Sequence, residues 1–352
     1  MRSIKIADYM ISDDSPPFIV AEIGSNHGGD AEVCEKLIRM AAKCGCDAVK
    51  LQKRDNAAMF TKAALAQPYN TEYSYGATYG EHRDKLDCFT LGDFYRFKSL
   101  ARDLGLIFFA TAFDFPSVDF LDALDIPCFK IASCDLLNIP LIRYAAAKGK
   151  PLIISTGGGT IEDIHRVHDA LHAIDFTNFA FLHCVSTYPN RDDELNLSFI
   201  NTLRETFKHH VIGFSSHHPG LDPCKYACRE GARIIEVHIT LNRASAGTDH
   251  AFSLEYKALE TLCEDLRRIP VMLGSAERKV IEQERQGFIR KMGKAVRAAH
   301  TIPAGKRIGE DDIVLKAPAE GITPYQWGDV IGKIAVHELS TAQPLRWEDF
   351  NE

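Results

Sequence analysis

Ile234-Ile235-Glu236-Val237-His238-Ile239-Thr240 is a β-branched apolar run with one histidine near its end. It leads into a polar, glycine-containing segment, Leu241-Asn242-Arg243 and then Gly247-Thr248-Asp249-His250. Upstream, Val211-Ile212-Gly213-Phe214-Ser215-Ser216-His217 repeats the pattern. Each run reads as a buried strand that ends in a histidine. Alone, either histidine reads as a satisfied polar residue near a strand end. On neighbouring strands of one parallel sheet, the two imidazoles reach the same carboxyl-terminal rim and can share a metal ion.

Working outward, six more apolar runs precede these two: Phe18 to Gly24, Ala48 to Gln52, Ile107 to Phe113, Cys128 to Ser133, Leu152 to Thr156 and Phe179 to Val185. Amphipathic stretches such as Asp30 to Lys43, Leu91 to Leu104, Ile139 to Ala147 and Ile161 to Ile174 lie between them. Continuous apolar runs fit parallel strands covered on both faces. Eight βα units within the first 270 or so residues predict a (β/α)₈ TIM barrel. A doubly wound open sheet is the competing fold, weakened because no Gly-rich dinucleotide fingerprint follows the first strand.

Barrel enzymes carry their sites at the carboxyl ends of the strands. Those ends supply Glu22, Asn26, His27, Lys50, Gln52, Thr111, Lys130, Ser133, Ser155, Ser186, Tyr188, Ser215, His217, His238 and Asp249. Polar loops explain some of these. They do not explain lysines closing two apolar strands, because a buried ammonium is costly unless paired. Lys50 and Lys130, with the hydroxyls of Ser133, Ser155 and Ser215, read as a phosphate or carboxylate cradle. Arg54 to Thr90 shows no apolar period and is rich in tyrosine, so it reads as a flap over the mouth.

Composition bounds the function. The chain has 352 residues, 45% hydrophobic and 25% charged, which is ordinary for a globular protein. Its net charge of -7 argues against a nucleic-acid surface. No apolar run is long enough to span a bilayer, and residues 1–5 lack a signal-peptide core. Ten cysteines without an export signal suggest a reduced, cytoplasmic protein. Cys224 and Cys228 have helical spacing, and no second pair lies nearby to complete a zinc site.

After Gly274 the pattern changes. A charged, linker-like helix is expected over Glu277 to Arg290, then short strand-like pieces punctuated by Pro and Gly. The expected organisation is a barrel over 1–275, a linker over 276–290 and a small β-rich domain over 291–352. So small a domain is marginal alone and should pack on its own barrel or a neighbour's.

The motifs Ala21-Glu22-Ile23-Gly24-Ser25-Asn26-His27-Gly28-Gly29, Val49-Lys50-Leu51-Gln52, Phe129-Lys130-Ile131-Ala132-Ser133, His183-Cys184-Val185-Ser186-Thr187-Tyr188-Pro189, Gly213-Phe214-Ser215-Ser216-His217 and Ile302-Pro303-Ala304-Gly305, with the segment from His238 to Asp249, span the chain. Jointly they resemble the sialic acid synthase family, which makes N-acetylneuraminate or N-acylneuraminate 9-phosphate. The resemblance implies a barrel followed by an antifreeze-like (SAF) domain. It implies condensation of phosphoenolpyruvate with an N-acylhexosamine, or its 6-phosphate, to a nine-carbon 2-keto sugar acid with release of phosphate. It also implies a metal, Mn²⁺ foremost with Mg²⁺ or Co²⁺ as alternatives, on His217 and His238. Glu22 would act on the attacking water or reacting centre. Lys50 and Thr111 would contact the phosphoenolpyruvate carboxylate, and Lys130, Ser133, Ser155, Ser186 and Ser215 its phosphate. Gln52, Tyr188 and Asp249 would contact the sugar. Asp135 falls where some members carry a glutamate near the metal.

The implied assembly is a domain-swapped homodimer, with each tail capping the partner's barrel. The tail departs from many free-sugar synthases: Lys316-Ala317-Pro318-Ala319-Glu320-Gly321 has alanine where they carry an arginine. Pro68-Tyr69, Thr78-Tyr79-Gly80-Glu81-His82 and Met292-Gly293-Lys294 are similar to synthases that take the 6-phosphorylated sugar. Another phosphoenolpyruvate barrel making a seven- or eight-carbon product, or a non-catalytic sugar-phosphate binder, are the competing functions. The presence of Glu22, His217 and His238 together counts against the binder.

Overall fold

The computed structural model describes residues 2–277 and 279–351. The chain divides into two compact units, Met1–Gly274 and Ser275–Glu352. In the first, a hairpin of β1 (Ser3–Ile6) and β2 (Tyr9–Ser12) precedes eight strands. These are β3 (Phe18–Glu22), β4 (Ala48–Lys53), β5 (Ile107–Ala112), β6 (Phe129–Ile131), β7 (Leu152–Ser155), β8 (Phe179–Cys184), β9 (Ile212–Ser216) and β10 (Ile234–His238). They pair in parallel and in sequence, and β10 returns to β3 to close the barrel. Closure rules out the open doubly wound sheet. Every strand lies within about two residues of its apolar run, because both faces are covered and the run stops where the rim begins.

Local chemistry sets the helix starts. Asp30 caps Ala31–Cys44 by accepting from Glu32 N and Val33 N. Gly45, at φ +84°, ends that helix in the left-handed region that favours glycine. Thr90 and Thr160 form capping boxes with Asp93 and Asp163. Two features were not foreseen. The hairpin tucks Ile4, Ile6 and Ile11 away from solvent and sets Tyr9 against Phe18, at the amino end of β3. The connection after β4 holds three short helices, Asn56–Met59, Lys62–Leu65 and Tyr79–Leu86.

In the second unit, helical turns cover 282–292. Two antiparallel pairs follow: β11 (Ala295–Ala298) with β12 (Ile313–Lys316), and β13 (Ile334–Ala335) with β14 (Phe350–Asn351). Val296, Ile302, Ile308, Ile313, Ile322, Leu339 and Leu345 form its core. The buried Arg297 donates to the carbonyls of Lys316, Pro318 and Ala342, pinning the segment on which the exposed Ala317 sits.

Candidate active site

The carboxyl-terminal rim of the barrel encloses a cavity of about 430 Å³. All thirteen residues carried over from the family pattern line it: Glu22, Lys50, Gln52, Thr111, Lys130, Ser133, Ser155, Ser186, Tyr188, Ser215, His217, His238 and Asp249. Strand register brings them together. Glu22 pairs with Lys50 across β3 and β4, with His238 across β3 and β10, and Ser215 pairs with Glu236 across β9 and β10.

The floor is a buried network of four charges. Lys50 Nζ lies 2.8 Å from Glu22 Oε2 and 3.6 Å from Glu236 Oε1, and donates to Thr111 Oγ1 at 2.9 Å. Lys130 Nζ lies 4.0 Å from Glu236 and donates to Ser155 Oγ at 2.6 Å. Ser215 Oγ donates to Glu236 Oε1 at 3.0 Å, and Gln52 Nε2 to Glu22 Oε1 at 2.8 Å. Two ammonium groups and two carboxylates balance, which is how the barrel tolerates lysines there. Glu236 completes this network, although the sequence pattern alone assigns it no role.

The two carboxylates differ in their surroundings. Burial raises the Glu236 carboxyl, but Lys130 and Lys50 outweigh it and hold the group at about 2. Burial pushes Glu22 up; Lys50 opposes and the Glu236 charge adds to the rise. Burial also presses Lys50 down, yet its two carboxylate neighbours leave it raised. Glu22 has one ammonium partner where Glu236 has two, so Glu22 is the readier to exchange a proton. Glu236 Oε2 lacks a hydrogen-bond partner among the described residues, whereas Glu22 Oε2 faces the Lys50 ammonium.

Glycines keep the cavity open. Ser133 Oγ accepts from Gly157 N at 3.1 Å, and a Cβ on Gly157 would collide with the hydroxyls of Ser133 and Ser186. Gly24, at φ +54°, sits against Asp249, Glu22 and Gln52. The imidazoles of His217 and His238 have centroids 5.3 Å apart. His217 Nδ1 lies 2.8 Å from the Val185 carbonyl, which fixes its proton there and frees Nε2. His238 Nδ1 is buried without a hydrogen-bond partner among the described residues, 3.7 Å from Asp249 Oδ2. Tyr188 packs against His217 with the ring centroids 4.1 Å apart and the planes tilted by 40°.

Three other sequence candidates face elsewhere. Asn26 Nδ2 donates to the Ile239 carbonyl and Ser253 Oγ, tying the first loop to the last. His27 packs on Phe89 and accepts from Gly29 N. Asp135 accepts from Asn138 Nδ2 at 2.9 Å and does not line the cavity. The flap contributes differently from expectation. Tyr69, Tyr75 and Tyr79 gather on His82, and none of them lines the cavity. Arg54 and Arg83 do line it, and no sequence signal had singled them out. Both guanidiniums lean on one carboxylate, Asp87, at 3.4 Å and 2.6 Å. Arg54 also stacks 3.7 Å from the Phe113 ring centre.

Residues 37–278 match the NeuB family, and 293–351 match the SAF domain. This chain belongs to the NeuB family. It is 35% identical to N-acetylneuraminate-9-phosphate synthase of Mus musculus, over 90% of this chain and 88% of that protein. It is 30% identical to N,N'-diacetyllegionaminic acid synthase of Legionella pneumophila, over 94% of each chain. The crystal structure of a sialic acid synthetase from Leptospira borgpetersenii, determined with citrate, superposes with a TM-score of 0.70 at 31% identity, covering 81% of this chain and 94% of that one. A heptulosonate 7-phosphate synthase of Thermotoga maritima shares the fold at 15% identity, with a TM-score of 0.59, covering 77% of this chain and 93% of that one.

Proposed function

We infer that this NeuB family member condenses phosphoenolpyruvate with an N-acylhexosamine, most favourably its 6-phosphate, to a nine-carbon 2-keto sugar acid and releases phosphate. The observation that carries the reading is the buried Lys50–Glu22–Glu236–Lys130 network beneath an anion-sized cradle of hydroxyls. Lys130, Ser155, Ser133, Ser186 and Ser215 hold the phosphate, and Gly157 leaves the room for it. Lys50 and Thr111 hold the carboxylate. Gln52, Tyr188 and Asp249 orient the sugar.

The methylene carbon of phosphoenolpyruvate attacks the aldehyde carbon of the open-chain sugar, and a carbon–carbon bond forms. Water adds to the adjacent, electron-poor carbon while Glu22 takes its proton. That proton is returned to the former aldehyde oxygen, now a hydroxyl, and the tetrahedral intermediate then collapses to the ketone, its hydroxyl proton leaving with the phosphate. His217 and His238 would hold a divalent metal, Mn²⁺ foremost with Mg²⁺ or Co²⁺ as alternatives. The fit rests on their donor set: one imidazole has its Nε2 freed and the other has a buried, unpartnered Nδ1. When bound, the ion supplies Lewis acidity to the aldehyde oxygen.

The preference for a phosphorylated sugar rests on Arg54 and Arg83. Two guanidiniums share one carboxylate, and among the described residues no second carboxylate lies within ion-pair distance of either. Guanidinium suits phosphate. A homodimer with exchanged tails and a cytoplasmic setting complete the proposal. Exposed Val271, Met272 and Leu273 end the barrel's last helix, the kind of apolar patch that marks an interface. No described helix is long and apolar enough to cross a membrane, and all ten cysteines are free.

The deciding experiment is mass spectrometry of products from phosphoenolpyruvate with a panel of free and 6-phosphorylated N-acylhexosamines, four- and five-carbon aldose phosphates included. A nine-carbon keto acid and free phosphate are expected, fastest with the 6-phosphates. A seven- or eight-carbon product, or none, overturns the reading.

A further inference from the structure

At the other end of the barrel, three histidines converge on one point. His168 and His172 lie one turn apart on the helix Ile161–His172, and His210 lies just before β9. Each offers a ring nitrogen, and the three nitrogens all lie within 4.8 Å of one another. His172 Nε2 and His210 Nε2 are 3.3 Å apart. Tetrahedral coordination at ~2.0–2.1 Å puts donor nitrogens roughly 3.3 Å apart, so that pair already has the required spacing.

The surroundings orient the rings. His210 is buried, stacked at 3.9 Å on Phe179, and its Nδ1 lies 3.2 Å from the Phe179 carbonyl. That contact places its proton on Nδ1 and its lone pair on Nε2, toward His172. His168 Nδ1 lies 3.0 Å from Asp169 Oδ1, a carboxylate partner that frees the opposite nitrogen in the same way. Phe207 and Phe179 form an apolar floor beneath the rings. His172 ends its helix, where the aligned peptide dipoles favour a cation. Its exposed edge leaves a fourth position for water.

We propose that His168, His172 and His210 form a second metal site, a three-imidazole seat for Zn²⁺ that clips the helix Ile161–His172 to the amino ends of β8 and β9. Neutral nitrogen donors select zinc-like ions over magnesium or calcium. The site lies at the amino-terminal face of the barrel, away from the reacting rim, so the ion acts on stability and not on chemistry. It joins residues 38 positions apart and stabilises the fold by linkage. The competing arrangement is a plain hydrogen bond, in which His172 Nε2–H donates to His210 Nε2.

The test counts zinc in the full-length chain after chelation and re-equilibration with Zn²⁺ alone. His172→Gln, at an exposed position, and His168→Gln should each lower the count by one equivalent relative to the parent chain. His165→Gln, on the same helix, should leave it unchanged. Zn²⁺ should raise the melting temperature of the parent chain more than that of either variant. Turnover supported by Mn²⁺ should be the same in all of them, which separates this site from the one at the barrel mouth. An unchanged zinc count in both His172→Gln and His168→Gln, or an equal thermal response to zinc, overturns the proposal.

Discussion

Glu22 and His238 are register partners on adjacent parallel strands, β3 and β10. The proposed proton acceptor and one proposed metal ligand therefore stand side by side at the rim, with no loop between them to adjust their spacing. Their separation is set by the sheet itself, which makes the site intolerant of strand slippage.

Glu22→Gln keeps the size and removes the charge. Steady-state kinetics should show kcat lowered by roughly 10²–10⁴ with KM for phosphoenolpyruvate near normal. Because burial raises the Glu22 carboxyl, the acid limb of kcat should lie above the ordinary 4.5 and vanish in the variant. A defect confined to KM would reduce Glu22 to a binding residue.

Chelation should abolish turnover, and Mn²⁺, Co²⁺ or Mg²⁺ should restore it. Elemental analysis alongside the assay decides the matter: full activity in a metal-free sample would remove His217 and His238 from the mechanism.

Arg83→Gln should raise KM for a 6-phosphorylated hexosamine by roughly 10–100-fold, the scale of one charge-assisted hydrogen bond of about 1.5–3 kcal/mol. KM for the free sugar should change little. Equal losses with both sugars would mean that Arg83 only shapes the loop through Asp87.

Burial holds the His27 imidazole down at about 4, against 6.5 when unfolded. The folded state thus favours neutral His27. This contribution, at most about 3.4 kcal/mol, is complete above pH 6.5 and is lost as pH falls toward 4. Urea unfolding between pH 4 and 7 should give a shallower pH dependence for His27→Gln than for the parent chain. Identical slopes would refute the assignment.

Removing residues 290–352 should cost most of the activity and weaken the proposed dimer, while Ala317→Arg should alter sugar preference and leave the reaction running. Light scattering with kinetics reads both. A truncated barrel that is a fully active monomer rules out capping by a partner's tail.

Most of the rim was legible in the sequence because parallel strands are apolar until they reach it; a lysine or histidine at the end of such a run is conspicuous. Glu236 was legible too, in principle. It lies two residues before His238, so the pleat turns both side chains to the same face. Arg83 was not legible, since it reaches the cavity only after an aperiodic segment folds into short helices, and Arg54 was not because it follows β4 just beyond the end of the apolar run. The hairpin of β1 and β2 left a faint trace, the alternation of Ile4 and Ile6. His168 and His172 show their helical spacing openly, but nothing local announces His210.

The balanced floor has a kinetic meaning. Lys50 and Lys130 are already neutralised by Glu22 and Glu236. An incoming dianion must therefore swap places with a resident carboxylate instead of filling a vacant positive hole. Such an exchange tempers affinity and speeds departure, which suits a site that must discharge inorganic phosphate every cycle. It also releases Glu22 from its ammonium partner only once the first substrate is seated.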